Sequence, residues 1–471
     1  MNAHMPGRRG KYRSSDAMKI VSINPATGEI NKEFETVSAA EALDIAKTVK
    51  ASFGEWKSCG LEARLERIRK LASVMQNRKE EYAGMITTEM GKTLADAIKE
   101  IEGCVRICNT TVDNAPAWLA DERIRTEYGK SYVTFEPVGL VLAIMPWNYP
   151  FSQVIRCVVP ALATGNVVLL KHSNSVPMCA TTIEAMFREA EFPDNVFRTI
   201  LVEHTAIPKL IKSDFVDCVS LTGGGEAGKQ VAKIAAGQIK KIVLELGGSN
   251  PFIVLSDCDI DFASTKAVES RIAATGQTCS SSKRFIVIRK VADLFTRKVV
   301  ERINSLSIGD PFDPKTNVGP LANAQQLAKI QEQVQDALAK GAKLECGGKK
   351  LDVPGNFYMP TVLTGVKKTM KVWKEEVFGP VLPIVSVRDE NEAVALANAT
   401  DYGLGASIWT KDVEGGEKLA RRIDAGMACV NRLSNSDYRM PCGGTKRSGI
   451  GREFSRYGIL EFTNIKSVIV A

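Results

Sequence analysis

Cys279 stands in ATGQTCSSSKRF, residues 274–285, between a small, glycine-containing approach and three serines. A structural cysteine normally behaves as a small hydrophobe inside a core. This one sits where backbone and solvent can reach it, the setting of a reactive thiol. Histidine is poorly supplied as its base. The chain holds 3 His, and His4 lies near the N-terminus, which leaves His172 and His204 for the body. Neither a Ser-His-Asp triad nor a His-rich metal centre is expected, and nucleophilic chemistry here should use another base. Glu245, in VLELGGSNPF, offers one. Flanked by Val243, Leu244 and Leu246, its carboxylate is expected to be partly desolvated, which raises its pKa toward neutrality and suits a general base. A capping or ion-paired Glu at a strand end fits the same residues. Asn148, between the prolines of MPWNYP, puts an amide donor on a stiff loop, as an oxyanion developing during attack requires; a turn-forming Asn reads equally.

Two further features could hold a phosphate. In SLTGGGEAGKQV, Gly223, Gly225 and Gly228 match G-x-G-x-x-G between a strand and a helix. Backbone N–H groups and a helix N-terminus there favour an anion. A tight turn packing helix on strand accounts for the glycines as well, so the match is weak by itself. Lys171 closes NVVLLK, at the carboxyl end of a strand, where open sheets bind ligands. Taken alone, a surface lysine is the simpler reading. A thiol, a carboxylate, an amide donor and a phosphate-type turn together point to covalent chemistry on a carbonyl with a nucleotide cofactor.

The elements that must position these groups are legible from periodicity. Residues 39–112 repeat apolar positions at three and four, a helical pattern. EYGKSYVTFEPVG alternates like a strand pair around a turn. LVLAIM is a buried strand running into the PWNYP loop. From 166 to 260, short apolar strands alternate with helices, which implies a parallel, doubly wound sheet. A second series follows with RFIVI, two helices and VLPIVSV. The economical architecture is two α/β layers with a cleft between them.

Composition sets the remaining bounds. A chain of 471 residues, 44% hydrophobic and 25% charged, is ordinary for a soluble globular protein of two or three domains. No apolar run approaches the ~18 residues of a membrane span, and no signal-peptide stretch opens the chain, so a cytoplasmic address is expected. The net charge of +8 owes part to Arg8, Arg9, Lys11 and Arg13, read as a flexible basic extension over residues 1–17. Without a basic helix or interleaved aromatics, neither nucleic acid nor membrane is an expected partner. The 11 cysteines form no CxxC pair, so neither a metal site nor a disulfide framework is expected.

The blocks PWNYP, LTGGGEAG, LELGGSNPFIV, TGQTCSSSKRF, KEEVFGPV and CGGTKRSGIGRE stand in the order and approximate spacing of the aldehyde dehydrogenase superfamily. The resemblance covers about Ile20 to Ala471. Through LLKH, LGGSNPFIVL and KRFIV the chain is most similar to bacterial and archaeal succinate-semialdehyde dehydrogenases. The fold this implies is α/β: a Rossmann-type cofactor domain (18–119 and 138–248), an α/β catalytic domain (249–447) and a small β oligomerisation element (120–137 and 460–471). The resemblance makes Cys279 the nucleophile, attacking an aldehyde to give a thiohemiacetal. The Asn148 amide and the Cys279 N–H hold the oxyanion, hydride leaves for the cofactor, and Glu245 activates the water that hydrolyses the thioester. Trp147 and Lys171 would contact the cofactor, with Gly223 and Gly228 near its pyrophosphate. Glu376 resembles the ligand of the nicotinamide ribose, Phe378 packs beside it, and Glu453 in GRE stands at a proton-relay position.

Departures from the family pattern sharpen these expectations. NAD-preferring members often carry Glu three residues after the Lys171 position; here Asn174 stands there. Without that carboxylate a 2'-phosphate is not repelled, and Lys171 with Ser173 or Ser175 could contact it, so the expected cofactor is NADP or NAD, with NADP accepted or preferred. Gly224 replaces the usual Ser of the T-G-S turn. Cys442 replaces a Phe of the substrate funnel, and Ser281 replaces a second cysteine used in some relatives as a redox switch. Arg156, eight residues after Asn148, matches an arginine that binds the distal carboxylate in related enzymes; an Arg in so apolar a stretch needs an anionic partner, from the substrate or from the protein. A second arginine of some relatives is Ala273 here, with Arg271 close by in sequence. Ser436 offers a further hydrogen bond.

The expected substrate is an ω-carboxylated aldehyde, succinate semialdehyde first, with glutarate semialdehyde, lactaldehyde or glyceraldehyde as alternatives. A CoA-acylating dehydrogenase, which usually lacks the hydrolytic Glu, is a further alternative that Glu245 argues against. The strand-like segments TEYGKSYVTFEPV and FTNIKSVIVA resemble oligomerisation elements and imply a homodimer or homotetramer.

Overall fold

Runs such as LVLAIM and VVLLKH are apolar at every position, so each strand must be covered on both faces. In the computed structural model, which describes residues 19–434 and 437–471, this is what they become. Leu140–Met145 (β1), Val167–His172 (β2), Phe197–Thr199 (β3), Cys218–Thr222 (β4) and Lys241–Glu245 (β5) form a parallel sheet in the order β5-β4-β1-β2-β3. The chain winds one way from β1 to β3 and then returns to β4. The carboxyl ends of β1 and β4 therefore flank the switch point, the crevice where such sheets bind ligands. Gly449–Ile450, from the far end of the chain, pairs antiparallel with β5, setting Gly449 opposite Glu245.

Helices cover this sheet as the periodicity requires. Four that begin within 39–112 are Ala39–Ala51, Leu61–Asn77, Lys79–Met90 and Leu94–Trp118 (α1), the last running six residues past it. The first is opened by a capping box in which Ser38 and Glu41 satisfy each other's backbone N–H groups. Ser152–Ala163 (α2) follows the loop after β1, and Gln153 through Ala163 are all buried. Gly225–Ala236 (α3) follows the glycine turn after β4.

The second sheet holds Asn250–Val254 (β6), Ser282–Ile288 (β7), Val381–Val387 (β8), Gly405–Trp409 (β9) and Met427–Val430 (β10). They run parallel in the order β8-β7-β6-β9-β10, extended past β8 by Thr361–Thr364 and Lys343–Cys346. Phe252 and Trp409 stack with ring centroids 4.9 Å apart on one face of it.

A third sheet departs from expectation. EYGKSYVTFEPVG is not a local strand pair: Lys130–Pro137 is one strand between Glu122–Arg123 and Thr463–Val470. Its main partner comes from the opposite end of the chain, which local alternation cannot reveal. Ile465, Ile469 and Val470 on the outer strand are exposed. Among the described residues no helix is long and apolar enough to cross a membrane. The basic extension falls outside the described residues.

Candidate active site

The segment that delivers Cys279 is bent by three successive residues in the left-handed region: Ala274, Thr275 and Gly276, at φ 48°, 58° and 75°. A β-branched residue rarely accepts that conformation, and such strain persists only where surrounding contacts over-determine it. Thr275 donates its hydroxyl to Gly319 O at 3.1 Å. At Gly276 a Cβ would stand 2.4 Å from Gly379 O, so only glycine fits. Beyond the turn, Asn250 Nδ2 and Lys283 Nζ each donate to Cys279 O at 2.9 Å. Among the described residues the Cys279 N–H has no acceptor.

The loop after β1 meets this segment directly. Asn148 Nδ2 donates to Gln277 O at 3.0 Å, which spends one amide hydrogen and leaves the other. Tyr149 Oη and Thr278 Oγ1 share a hydrogen bond at 3.0 Å. Behind the loop, Glu100 of α1 accepts from the N–H groups of Phe151 and Ser152 at 2.9 and 3.0 Å, and is ion-paired with the fully buried Lys92. Asn148 and the segment carrying Cys279 are thus tied together across the two sheets.

Cys279 lies where two cavities meet. The first, about 220 Å³, is lined by Trp147, Asn148, Glu245, Glu376 and Phe378 together with the turn Thr222–Gly223–Gly224. Trp147 and Phe378 meet edge to face with centroids 5.7 Å apart. The second cavity, about 410 Å³, is lined by Arg156, Arg106, Tyr149, Tyr438 and Phe454. Cys279 and Gln153 border both.

The first cavity fits a dinucleotide. Thr222 Oγ1 is buried without a hydrogen-bond partner among the described residues. No side chain caps the N-terminus of α3, and a Cβ at Gly224 or Gly225 would meet open space. The first-turn N–H groups of that helix are therefore available to an anion. The glycines divide their work differently from expectation. Gly223 spends its N–H on Glu245 O at 3.0 Å. Gly228 lies within α3, where a Cβ would sit 2.6 Å from Leu246, so its absent side chain serves helix-on-sheet packing. At the end of β2, Lys171 Nζ donates to Asn174 Oδ1 at 2.9 Å, and the Ser173 hydroxyl accepts from the Ser175 N–H at 3.3 Å. Burial brings the Lys171 ammonium down to about 8, partly offset by Glu203.

Arg156 has a protein carboxylate for a partner. It is ion-paired through Nε with Glu453, and its Nη2 lies 4.0 Å from Glu245 Oε2. Nη2 itself makes no hydrogen bond among the described residues, and neither do Glu245 Oε1 and both Glu453 oxygens. Two carboxylates and one guanidinium thus share the buried floor of the site. Burial, then the Glu453 charge, hold the Glu245 carboxyl well above its usual range, with Arg156 and Arg452 pulling it back. Burial likewise raises Glu453 against the pull of Arg156. The Cys279 thiol is pushed up by burial; Arg156 and Lys283 draw it down, and Glu376 and Glu245 raise it.

Other expected residues fall elsewhere. Arg271 points away from both cavities, donating to Ser281 Oγ at 2.5 Å and to the carbonyls of Ser282 and Val377 at 3.1 and 3.0 Å. It is a buried brace for the loop that carries Cys279. Ser436 lies outside the described residues. Sequence reasoning missed Gln153, whose Oε1 is buried and unpartnered, and Arg106 at the mouth of the larger cavity. Gln153 left a signal, being with Ser152 and Arg156 one of three polar residues in an otherwise apolar helix; Arg106 left none, since charges are normal on the face of α1. Lys283 was also missed, and its signal was a pair of adjacent cations, Lys283 and Arg284, at the head of a strand whose remaining residues Phe285–Ile288 are apolar.

A family model of the aldehyde dehydrogenase family matches residues 12–468. The chain belongs to the aldehyde dehydrogenase family. It is 44% identical over 457 residues to a probable succinate-semialdehyde dehydrogenase (NADP(+)) of Synechocystis sp., covering 96% of this chain and 100% of that one. Succinate-semialdehyde dehydrogenase (NADP(+)) 1 of Mycobacterium bovis is 42% identical with the same coverage. Among solved structures, succinic semialdehyde dehydrogenase from Streptococcus pyogenes in complex with NADP+ superposes with a TM-score of 0.94 at 33% identity, over 96% of this chain and 99% of that one. The fold of this aldehyde dehydrogenase is therefore the family's, with mixed α/β sheets in the arrangement described above.

Proposed function

We propose that this aldehyde dehydrogenase oxidises succinate semialdehyde to succinate, with NADP preferred over NAD. The observation that carries the reading is the position of Cys279 at the junction of a cavity suited to a dinucleotide and a cavity furnished with arginines. The named relatives add support, being succinate-semialdehyde dehydrogenases, NADP(+). When bound, the nicotinamide dinucleotide supplies the hydride acceptor.

The chain's own residues do the rest. The aldehyde enters the larger cavity with its carboxylate toward the Arg156 guanidinium, which borders that cavity. Cys279 gives its thiol proton to water, its Sγ attacks the carbonyl carbon, and the second Asn148 amide hydrogen and the Cys279 N–H receive the oxyanion. Fixing thiol, carbonyl and donors in one frame replaces a bimolecular encounter with an intramolecular step. After oxidation to the thioester, Glu245 takes a proton from water, whose oxygen attacks the acyl carbon and frees the Cys279 thiolate. The raised pKa of Glu245 suits it to this task near neutrality. Glu453 lies behind Glu245 as the carboxylate that can take its proton on, while Arg156, always charged, holds Glu453 in place.

Arg156→Gln tests the substrate assignment. Loss of a charge-assisted hydrogen bond should raise KM for succinate semialdehyde about 10- to 100-fold while leaving KM for a neutral aldehyde of equal length nearly unchanged. An equal rise for both would remove the carboxylate from the proposal. A pH series tests the cofactor. Lys171 is about 8 without ligand, so the protonated form that attracts a 2'-phosphate is lost above that pH. The ratio of kcat/KM for NADP to that for NAD should fall as pH rises through about 8. A ratio flat from pH 6.5 to 9.5, or favouring NAD throughout, contradicts the assignment of Lys171 to the phosphate.

The proposed assembly is a homodimer or homotetramer in the cytoplasm. The exposed outer strand Thr463–Val470 supports pairing with another copy, and buried thiols such as Cys104, Cys108 and Cys157 accord with a reducing compartment.

A further inference from the structure

Lys283 follows the nucleophile by four residues and is completely buried at the start of β7. Burying an ammonium is costly unless its charge and its hydrogens are met by partners. Its neighbour Arg284 shows how this fold treats a purely structural cation. Arg284 donates to the carbonyls of Ser249, Leu396 and Ala397 and faces no carboxylate. Lys283 is placed differently. Its ammonium donates to Gly248 O at 2.8 Å, to Cys279 O at 2.9 Å and to Glu376 Oε1 at 2.5 Å. Those three bonds use all its hydrogens. One acceptor belongs to the nucleophile, one to the strand link after Glu245, and one to a carboxylate on the wall of the smaller cavity. The ammonium also lies 5.5 Å from the ring centroid of Phe378, on the same wall.

We propose that Lys283 is a positioning residue that joins the two halves of the site: one ammonium holds both the Glu376 carboxylate and the backbone of Cys279, so that seating the cofactor and aiming the thiol are a single structural event. The inference rests on the reading of Glu376 as the cofactor's ribose ligand. Glu376 is partly exposed whereas Lys283 is not, so Glu376 is the member a ligand reaches. A ligand hydroxyl that draws on Glu376 leaves the Lys283 charge less neutralised, and that charge acts on Cys279. The groups acting on the thiol are Arg156, Lys283, Glu376 and Glu245; those acting on Lys283 are Glu376, Cys279 and Arg271. Lys283 favours the thiolate, and Glu376 opposes it.

The test uses the full chain without aldehyde. Rates of Cys279 alkylation by iodoacetamide are measured against pH, with the adduct mapped by mass spectrometry, alongside the Kd for NADP from fluorescence quenching. Lys283→Met, uncharged and similar in length, should raise the apparent thiol pKa, slow alkylation at pH 7 about tenfold and weaken NADP about tenfold. Glu376→Gln should shift the thiol the other way, lowering its pKa and quickening alkylation, while also weakening NADP. Opposite shifts are what coupling through one ammonium requires; a general loosening of the site would move both variants alike. Slower alkylation in both, or no change in thiol profile and Kd in Lys283→Met, overturns the proposal. If Lys283→Met does not fold, Glu376→Gln decides alone: unchanged or slower alkylation overturns it. Because no aldehyde is present, a wrong substrate assignment would surface in the substrate panel and leave these rates untouched.

Discussion

Cys279→Ala should lower kcat for aldehyde oxidation by at least about 10⁴-fold, with the melting temperature close to the parent's. The size of the effect follows from the absence of a substitute. Ser281 is the hydroxyl two residues on, and its Oγ already accepts from Arg271. Thr278 Oγ1 is engaged with Tyr149. Neither is free to attack, and water cannot reproduce a carbonyl adduct held beside Asn148. The side chain removed is small and stands at the meeting of two cavities, so little packing is lost. Mass spectrometry of the parent during turnover should show an acyl group on the peptide carrying Cys279, absent from the variant. Parent-like turnover in Cys279→Ala or Cys279→Ser would remove the thiol from the mechanism.

Glu245→Gln should separate the two halves of the reaction. Its amide preserves shape but cannot take a proton, so steady-state turnover should fall about 10²- to 10⁴-fold. A rapid burst of reduced cofactor, near one equivalent per site, should remain, with thioester accumulating on Cys279. In the parent, the base works only when ionised, so hydrolysis should fail as pH drops through the carboxyl's folded pKa. Because burial and Glu453 hold that pKa well above the ordinary range, the loss should begin at a higher pH than for a solvent-exposed glutamate. Glu453→Gln removes the like charge and leaves Arg156 to act on Glu245 alone; both changes favour the ionised form. The acid limb of the profile should therefore move to lower pH. A variant lacking the burst would place Glu245 in the first half-reaction, and an acid limb moving upward in Glu453→Gln would break the electrostatic link between the carboxylates.

Much of the site was legible before any fold was known, because its chemistry depends on residue type and on short, stiff surroundings. A thiol among small polar residues, a Glu ahead of two glycines and an Asn between prolines are local patterns, and the structure brings Cys279, Glu245 and Asn148 to one cavity. The strands on either side of the cleft were readable because a strand buried on both faces is apolar throughout. What failed did so where the deciding neighbour is remote. The partner of Lys130–Pro137 comes from Thr463–Val470, so the alternation was right and the pairing wrong. The glycine spacing after β4 left phosphate contact and helix-on-strand packing both open, and what packs on Gly228 is Leu246, eighteen positions further along the chain. The direction of Arg271 was open in sequence and is settled by carbonyls of the Val377 segment.

By itself the amino-acid sequence determined the α/β class and the family and named the candidate reactive groups, since side-chain chemistry and burial periodicity are properties of the chain's local order. Only the tertiary structure decided which charges share a partner. Arg156 stands between Glu453 and Glu245, and Lys283 between Cys279 and Glu376, on segments far apart in the chain. The physical reason is range: an ionised group acts on whatever lies within a few ångströms through a low-dielectric interior, whatever the separation along the backbone.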